Sequence, residues 1–426
     1  MKVLYFVFLV IFSVSFTQTS NAQFWDKLKK NTEKKVKSEG EKRVQDKVNK
    51  GVDKGYDEVE KGLKGEGNDK SKDNAKTPPA QTNTNVNQPP SESNVKAEIN
   101  SKYDFIPGEK VIFFDDFTAE NVGDYPVQWN TTGSGEVVTT NLAQGRWFYI
   151  TNGNGITTLM DPLTLPENFT IEFDLIPVAN PKNNKHIDFN FYIIGTPKPK
   201  DLKYGLARPG GDGIKFTFGY SNYYAAYYSD GTPNMSGVEN EPKLKADNKY
   251  RISIWKQKER LRLYVDQTKV FDLPRVMLKN VKYNMLRFDS GTPMISSIRV
   301  ATGLPDMRSK LLTEGKLISY GIYFDVNKDI VKPESYPSLK EIAAILKDNQ
   351  DVKIKIVGHT DSDGDDKQNL DLSKRRSEAV KNSLVKDFSI DASRIETDGK
   401  GEGQPVAPND NVTNKALNRR VEFIKL

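Results

Sequence analysis

The hydrophobic pattern of this chain changes period several times. Val3 to Phe16 form a nearly unbroken apolar run behind Lys2. Between residues 23 and 64, Val44, Val48, Val52, Tyr56, Val59 and Leu63 recur at steps of four and three, the spacing of one narrow helix face. Residues 65–101 have no such stripe, no aromatic side chain and two Pro-Pro pairs, and read as a disordered linker. From 102 to 305 the period becomes two. Phe169, Ile171, Phe173 and Leu175 alternate with Thr170, Glu172 and Asp174, and Ile252/Ile254 and Leu261/Leu263/Val265 repeat the pattern. Turn clusters such as Pro209-Gly210-Gly211-Asp212-Gly213 punctuate roughly ten short strands, which predicts an all-β jelly-roll sandwich.

From 306 to 426 strands alternate with helices. Strands are expected at Lys316–Asp325, Val352–Val357, Arg394–Thr397 and Arg420–Ile424. A capping box, Ser338-Leu339-Lys340-Glu341, opens a helix with Leu339, Ile342, Ile345 and Leu346 on its apolar face. Leu372, Val380 and Leu384 mark one side of a second helix. The order βαβαββ predicts an α/β two-layer sandwich, so the chain is expected to be multidomain. An outer-membrane barrel also alternates, but its strands need about 9–11 residues to cross the bilayer. Here most alternations are shorter, and Lys256-Gln257-Lys258-Glu259-Arg260 would fall at the wrong depth.

Composition narrows the functional classes. The apolar run at 3–16 is too short for a bilayer span, which takes about 20 residues. With Ala22 before Gln23 it reads as a signal peptide, residues 1–22, and predicts export. The charged tract at 23–64 reads as a marginal solvated helix, with a membrane-surface or partner-docking helix as the alternative. The chain has no cysteine, which removes disulfides, thiol catalysis and cysteine metal sites. Two histidines, His186 and His359, make a zinc site improbable. A net charge of +6 over 426 residues gives no argument for nucleic acid. No cofactor is expected.

Within the β region, Glu172 and Asp174 alternate on one strand as a glycosidase pair would. Retaining hydrolysis needs carboxylates about 5–5.5 Å apart, but Pro177 stands where a last glutamate would be needed. The pair is therefore read as polar residues facing out from a half-buried strand. Tyr223, Tyr224, Tyr227 and Tyr228 read as strand core and cross-strand pairs, with a sugar-stacking platform as the alternative. The stretches FFDDFTAENVGDYPVQWNTTGSGEVV, FTIEFDLIP and RISIWKQKERLRLYVDQTKVFDLP resemble laminin-G-like or concanavalin-like jelly rolls in strand order. That resemblance implies glycan or protein binding by residues 102–305.

The densest charge lies at 358–376, GHTDSDGDDKQNLDLSKRR. Calcium fits poorly, because an EF-hand loop begun at Asp361 needs glycine and glutamate where Asp366 and Leu372 stand. Catalysis by His359 with Asp361 lacks a nucleophile, and His359 is read as a hydrogen-bonded structural residue. Recognition of a zwitterion fits better. Asp361 ends a strand and Arg376 follows on the next helix, so a carboxylate could take an ammonium and a guanidinium a carboxylate. The helix N-terminus nearby would add positive dipole.

Ile356-Val357-Gly358-His359-Thr360-Asp361, Gly364, Asn369, Leu372-Ser373, Arg376 and Val380 resemble the core motif of the OmpA-like peptidoglycan-binding domain. Arg394, Gly399-Lys400-Gly401-Glu402, Pro405, Asn409 and Asn418-Arg419-Arg420-Val421-Glu422 continue the likeness. It implies non-covalent binding of the diaminopimelate in peptidoglycan stem peptides, with Asp361 on the ammonium and Arg376 on the carboxylate. Thr360, Asn369 and Asp325 would support the pocket. Asn414-Lys415 and Ser377 depart from the family's usual residues, at positions expected not to touch the charge pair. The resulting expectation is a non-enzymatic wall anchor in the envelope of a Gram-negative-type bacterium, periplasmic and associated with the outer membrane. Residues 102–305 would reach outer-membrane proteins or glycans. A glycan hydrolase and an adhesin are the alternatives.

Overall fold

A computed structural model describes residues 103–151, 155–178, 189–202, 212–219, 222–229, 232–303 and 306–426. The expected signal peptide at 1–22, the 23–64 tract, the expected linker at 65–101 and His186 lie outside them.

The β region runs β1 Lys110–Asp115, β2 Trp129–Thr131, β3 Gly135–Val138, β4 Trp147–Ile150, β5 Ile156–Leu159, β6 Asn168–Ile176, β7 Phe189–Gly195 and β8 Asp212–Phe218. It continues through β9 Tyr223–Ser229, β10 Thr232–Glu239, β11 Tyr250–Gln257, β12 Arg260–Val265, β13 Thr268–Leu273, β14 Met285–Asp289 and β15 Met294–Thr302. There are more strands than the roughly ten expected, because several span only three or four residues and carry too few alternations to register. They form two open antiparallel sheets. One has the order β13-β12-β11-β6-β15-β4-β3, with β1 also pairing β15; the other is β10-β9-β8-β7-β14-β5-β2. One residue parity of each sheet faces the other sheet. Phe173 from β6 meets Phe191 of β7 at 5.1 Å and Phe288 of β14 at 5.5 Å between ring centroids. Burying such aromatic and aliphatic faces is what holds the sheets together.

The C-terminal region contains α1 Met307–Leu312, β16 Lys316–Ser319, α2 Tyr336–Asp348, β17 Ile354–His359, α3 Asp366–Phe388, β18 Ile395–Gly401, α4 Val412–Asn418 and β19 Val421–Lys425. Its sheet order is β16-β19-β17-β18, with β17 and β18 parallel and the other pairs antiparallel. Two short helices, α1 and α4, were not expected. The first strand stops at Ser319, and Tyr320–Asp325 continue as an unpaired segment. The capping box also fails. α2 starts at Tyr336 with Pro337 in its first turn, where proline is tolerated because its missing N–H is not needed. Ser338 therefore lies inside the helix, buried.

α3 lies tightly against β17 and β18. A Cβ on Gly358 would collide with the Ser373 carbonyl, and one on Gly399 with the Lys374 amide. Ser373 and Ser377, both fully buried, turn their hydroxyls back to carbonyls in the preceding turn. This close approach brings the end of β17 and the middle of α3 into one neighbourhood.

Candidate binding site

β17 runs out into Thr360 and Asp361, whose side chains are both buried. The Thr360 N–H donates to the Gly401 carbonyl at 3.0 Å, fixing the exit from the strand. The Asp361 carboxylate accepts from Arg419 Nη1 at 2.6 Å and from the Asp363 N–H at 3.1 Å. It thus has a strong internal partner that the sequence reading gave no role. Its one signal in the sequence is its place in the motif run Asn418-Arg419-Arg420-Val421-Glu422.

Arg376 lies in mid-helix, well past the first turn of α3. That turn is capped by Asp365, whose side chain accepts from the Gln368 N–H at 3.0 Å, so it does not face the charge pair freely. Arg376 Nε and Nη2 donate to the carbonyls of Lys328 and Asp325 at 2.9 and 3.2 Å, and its guanidinium stacks 4.9 Å from the Phe324 ring centroid. Neither bond neutralises the charge. Burial, joined by the nearby charges of Arg375 and Arg419 and opposed by the attraction of Asp361, lowers the Arg376 pKa to about 10. The guanidinium remains protonated at neutral pH, and Asp361 and Arg376 act on one another electrostatically.

The other predicted residues take distinct places. Asn369 Nδ2 donates to Glu402 Oε2 at 2.7 Å, to the Asp363 carbonyl at 3.1 Å and to the Asp361 carbonyl at 3.4 Å, holding the 361–363 turn closed. Asp325 meets Arg376 through its backbone carbonyl; its half-exposed carboxylate points to Lys328 and Lys332 at 3.4 and 3.6 Å. Thr360 Oγ1 is buried and without a hydrogen-bond partner among the described residues, as are both ring nitrogens of His359. His359 is buried, with Nε2 standing 3.6 Å from Glu422 Oε2.

The acidic loop does not converge on a cation. Asp361 pairs with Arg419, Asp363 with Lys415 at 2.6 Å, and Asp365 caps α3. Lys415, one of the departures from the motif, thus touches the loop two residues from Asp361. Asn418, fully buried, donates to Asn409 Oδ1 and the Ala407 carbonyl, and Asn409 in turn accepts from the Ser362 N–H. These asparagines tie the 405–411 segment to the 361–363 turn.

Glu172 and Asp174 face out of their sheet, but not to solvent. Glu172 is 1% exposed and accepts from Arg299 at 2.7 Å, Arg251 at 3.1 Å and the Tyr323 hydroxyl at 2.6 Å. Asp174 pairs with Lys249 and Arg251 at 2.8 and 3.0 Å. Tyr323 belongs to the segment after β16, so the α/β region covers these carboxylates. They form a buried ionic lattice with no open cleft at Glu172. The tyrosine run splits between faces: Tyr223 is in the core and Tyr227 packs on it, while Tyr224 faces outward beneath Lys215.

Comparison with known proteins matches residues 323–419 to the OmpA family. The chain is 42% identical over 105 residues to outer membrane porin F of Pseudomonas fluorescens, covering 25% of this chain and 32% of that protein. It is 37% identical over 102 residues to the probable lipoprotein YiaD of Escherichia coli (strain K12), covering 24% and 46%. Among solved structures, the peptidoglycan-associated lipoprotein from Burkholderia pseudomallei is 30% identical over 25% of this chain and 88% of that one, with a TM-score of 0.24. In each of these two relatives the chain matches less than half of the protein's length.

Proposed function

We propose that the OmpA-family domain at residues 323–419 binds peptidoglycan without covalent chemistry and anchors an envelope protein to the wall. The observation that carries this reading is the juxtaposition of a buried carboxylate, Asp361, with a partly buried guanidinium, Arg376, which Asp361 attracts while two backbone carbonyls hold it. Such a pair suits one amino-acid head group. Asp361 would take the ammonium of diaminopimelate and Arg376 its carboxylate in a bidentate fork. Thr360 Oγ1, buried and without a hydrogen-bond partner among the described residues, would give the same ligand a further polar contact. Asn369 and the Asp325 carbonyl hold the two halves in position. The similarity to outer membrane porin F of Pseudomonas fluorescens supports an envelope location, which we propose to be the periplasmic side of the outer membrane.

Binding here is an equilibrium set by charge complementarity, with no bond made or broken. Asp361→Ala and Arg376→Ala are each expected to abolish co-sedimentation of the purified chain with cell-wall sacculi. Pelleting equal to wild type would refute the assignment. A hydrolytic role for the β region has little support, because Glu172 and Asp174 are saturated by cations.

A further inference from the structure

A second carboxylate reaches this site from the sandwich. β1 ends at Asp115, and the following turn sends Asp115 inward and Asp116 outward. Asp115 accepts from Trp129 Nε1 at 2.9 Å and from the Phe117 N–H at 3.0 Å, and Phe117 adopts a φ of 60°. That left-handed backbone is costly for a bulky residue and persists where its surroundings hold it. Asp116 Oδ1 is occupied by the Thr118 hydroxyl at 2.6 Å and N–H at 3.2 Å. Its Oδ2 lies 3.6 Å from Arg419 Nη2. The Phe114 ring stacks on the same guanidinium, 4.9 Å from centroid to carbon. At the start of α4, the Thr413 hydroxyl accepts from the Phe114 N–H at 3.1 Å and lies 3.3 Å from its carbonyl, clasping strand to helix. One guanidinium therefore stands between two carboxylates, Asp361 at 2.6 Å and Asp116 at 3.6 Å.

We propose that Asp116 is a positioning residue of the ammonium half of the site: by sharing Arg419 with Asp361, it sets how much of the Asp361 charge a ligand ammonium can use. The inference rests on the function proposed above. When an ammonium arrives, Asp361 must serve two cations at once, and Arg419 has a second carboxylate toward which to move. Without Asp116, the ammonium and Arg419 compete for one carboxylate with an uncompensated positive charge between them. A ligand lacking the ammonium makes no such demand. The sandwich thus contributes to selectivity for a zwitterion over a simple dicarboxylate.

The test is titration of the full chain with free diaminopimelate and with pimelate, its analogue without ammonium groups. Asp116→Asn is expected to weaken diaminopimelate about tenfold, the scale of one nearby charge, and to leave pimelate unchanged. Asp116→Glu keeps the charge and is expected to restore binding. In an Arg419→Gln background, Asp116→Asn is expected to add no further loss, since coupled residues are non-additive. Equal affinity of Asp116→Asn and wild type for diaminopimelate would overturn the proposal. So would an equal loss on both probes, a loss that persists without Arg419, or a failure of glutamate to rescue. A wild-type chain that binds neither probe and does not pellet with sacculi removes the proposed function itself, and this inference with it. A chain that pellets and loses pelleting in Asp361→Ala, yet ignores Asp116→Asn, removes only the inference.

Discussion

Glu172→Gln removes one charge from the ionic lattice between the sandwich and the α/β region, and its cost can be worked from the contacts. The carboxylate is 1% exposed and receives hydrogen bonds from two guanidiniums and a phenol at 2.6 to 3.1 Å. Breaking a buried ion pair on one side costs about 3–5 kcal/mol, because the partner charge stays buried. The two arginines do not suffer equally. Arg251 keeps Asp174 at 3.0 Å, whereas Arg299 keeps the Gly108 carbonyl at 3.3 Å and the face of the Tyr320 ring but, among the described residues, no second carboxylate. One guanidinium is thus left uncompensated, and glutamine still offers it an oxygen, which places the expected loss near the lower end, about 3 kcal/mol. Urea unfolding of the full chain, extrapolated to water, measures it. Glu259→Gln is the control, since its pair with the largely exposed Lys279 at 3.5 Å is expected to contribute under about 0.5 kcal/mol. A Glu172→Gln chain no less stable than Glu259→Gln would refute the reasoning and return Glu172 to the list of residues in search of a role.

Two further predictions follow from the packing and the turn after β1. Gly358→Ala drives a methyl group into the Ser373 carbonyl and is expected to destabilise the chain by about 2–4 kcal/mol, read by the same unfolding assay; a change under about 0.5 kcal/mol would deny the close approach of α3 to β17. Burial pushes the Asp115 carboxyl up to about 7 despite its bonds from Trp129 and the Phe117 amide. Its folded state therefore binds the proton more tightly than the unfolded state. That contribution is full below the ordinary carboxylate range and fades as pH rises through about 7. Stability of wild type relative to Asp115→Asn is expected to fall by about 2–3 kcal/mol between pH 5 and 8, and a flat difference would contradict the environment described for Asp115.

Much of the architecture was legible because β6, β11 and β12 alternate cleanly and the helices of the α/β region carry apolar stripes. What the alternation could not say is what lies over each face. Thr170, Glu172 and Asp174 have the parity of solvent-facing residues, yet all are buried: Thr170 Oγ1 accepts from the Gly108 N–H ahead of β1, and Tyr323 of the α/β region caps Glu172. The same limit applies at the site. Asp361 and Arg376 stood out as opposite charges at a strand end and on the following helix, joined by local chain. Arg419 and Asp116 enter from α4 and β1, distant in sequence, and nothing in local spacing announces that they meet. The helix start was misplaced for a smaller reason: Ser338 and Glu341 have capping-box spacing, but Pro337 and the preceding 3-10 turn at Pro333–Ser335 begin the helix three residues earlier.

Both halves of the proposed clamp are braced by the same sheet of the sandwich, through different strands. On the cation-binding half, Asp361 holds Arg419, which leans on Asp116 and Phe114 at the end of β1. On the anion-binding half, Arg376 hangs from the carbonyls of Asp325 and Lys328, in a segment that begins at Tyr323, and Tyr323 donates to Glu172 of β6. The two braces should separate experimentally. Loosening Tyr323 through Glu172→Gln acts on the carbonyls that orient Arg376, so it is expected to weaken diaminopimelate and pimelate together. Asp116→Asn acts only where an ammonium must share a carboxylate, so it should discriminate between the probes. If Glu172→Gln lowers stability yet leaves both affinities unchanged, the ionic lattice holds the regions together without orienting the guanidinium, and the anion half must be fixed by α3 and Phe324 alone.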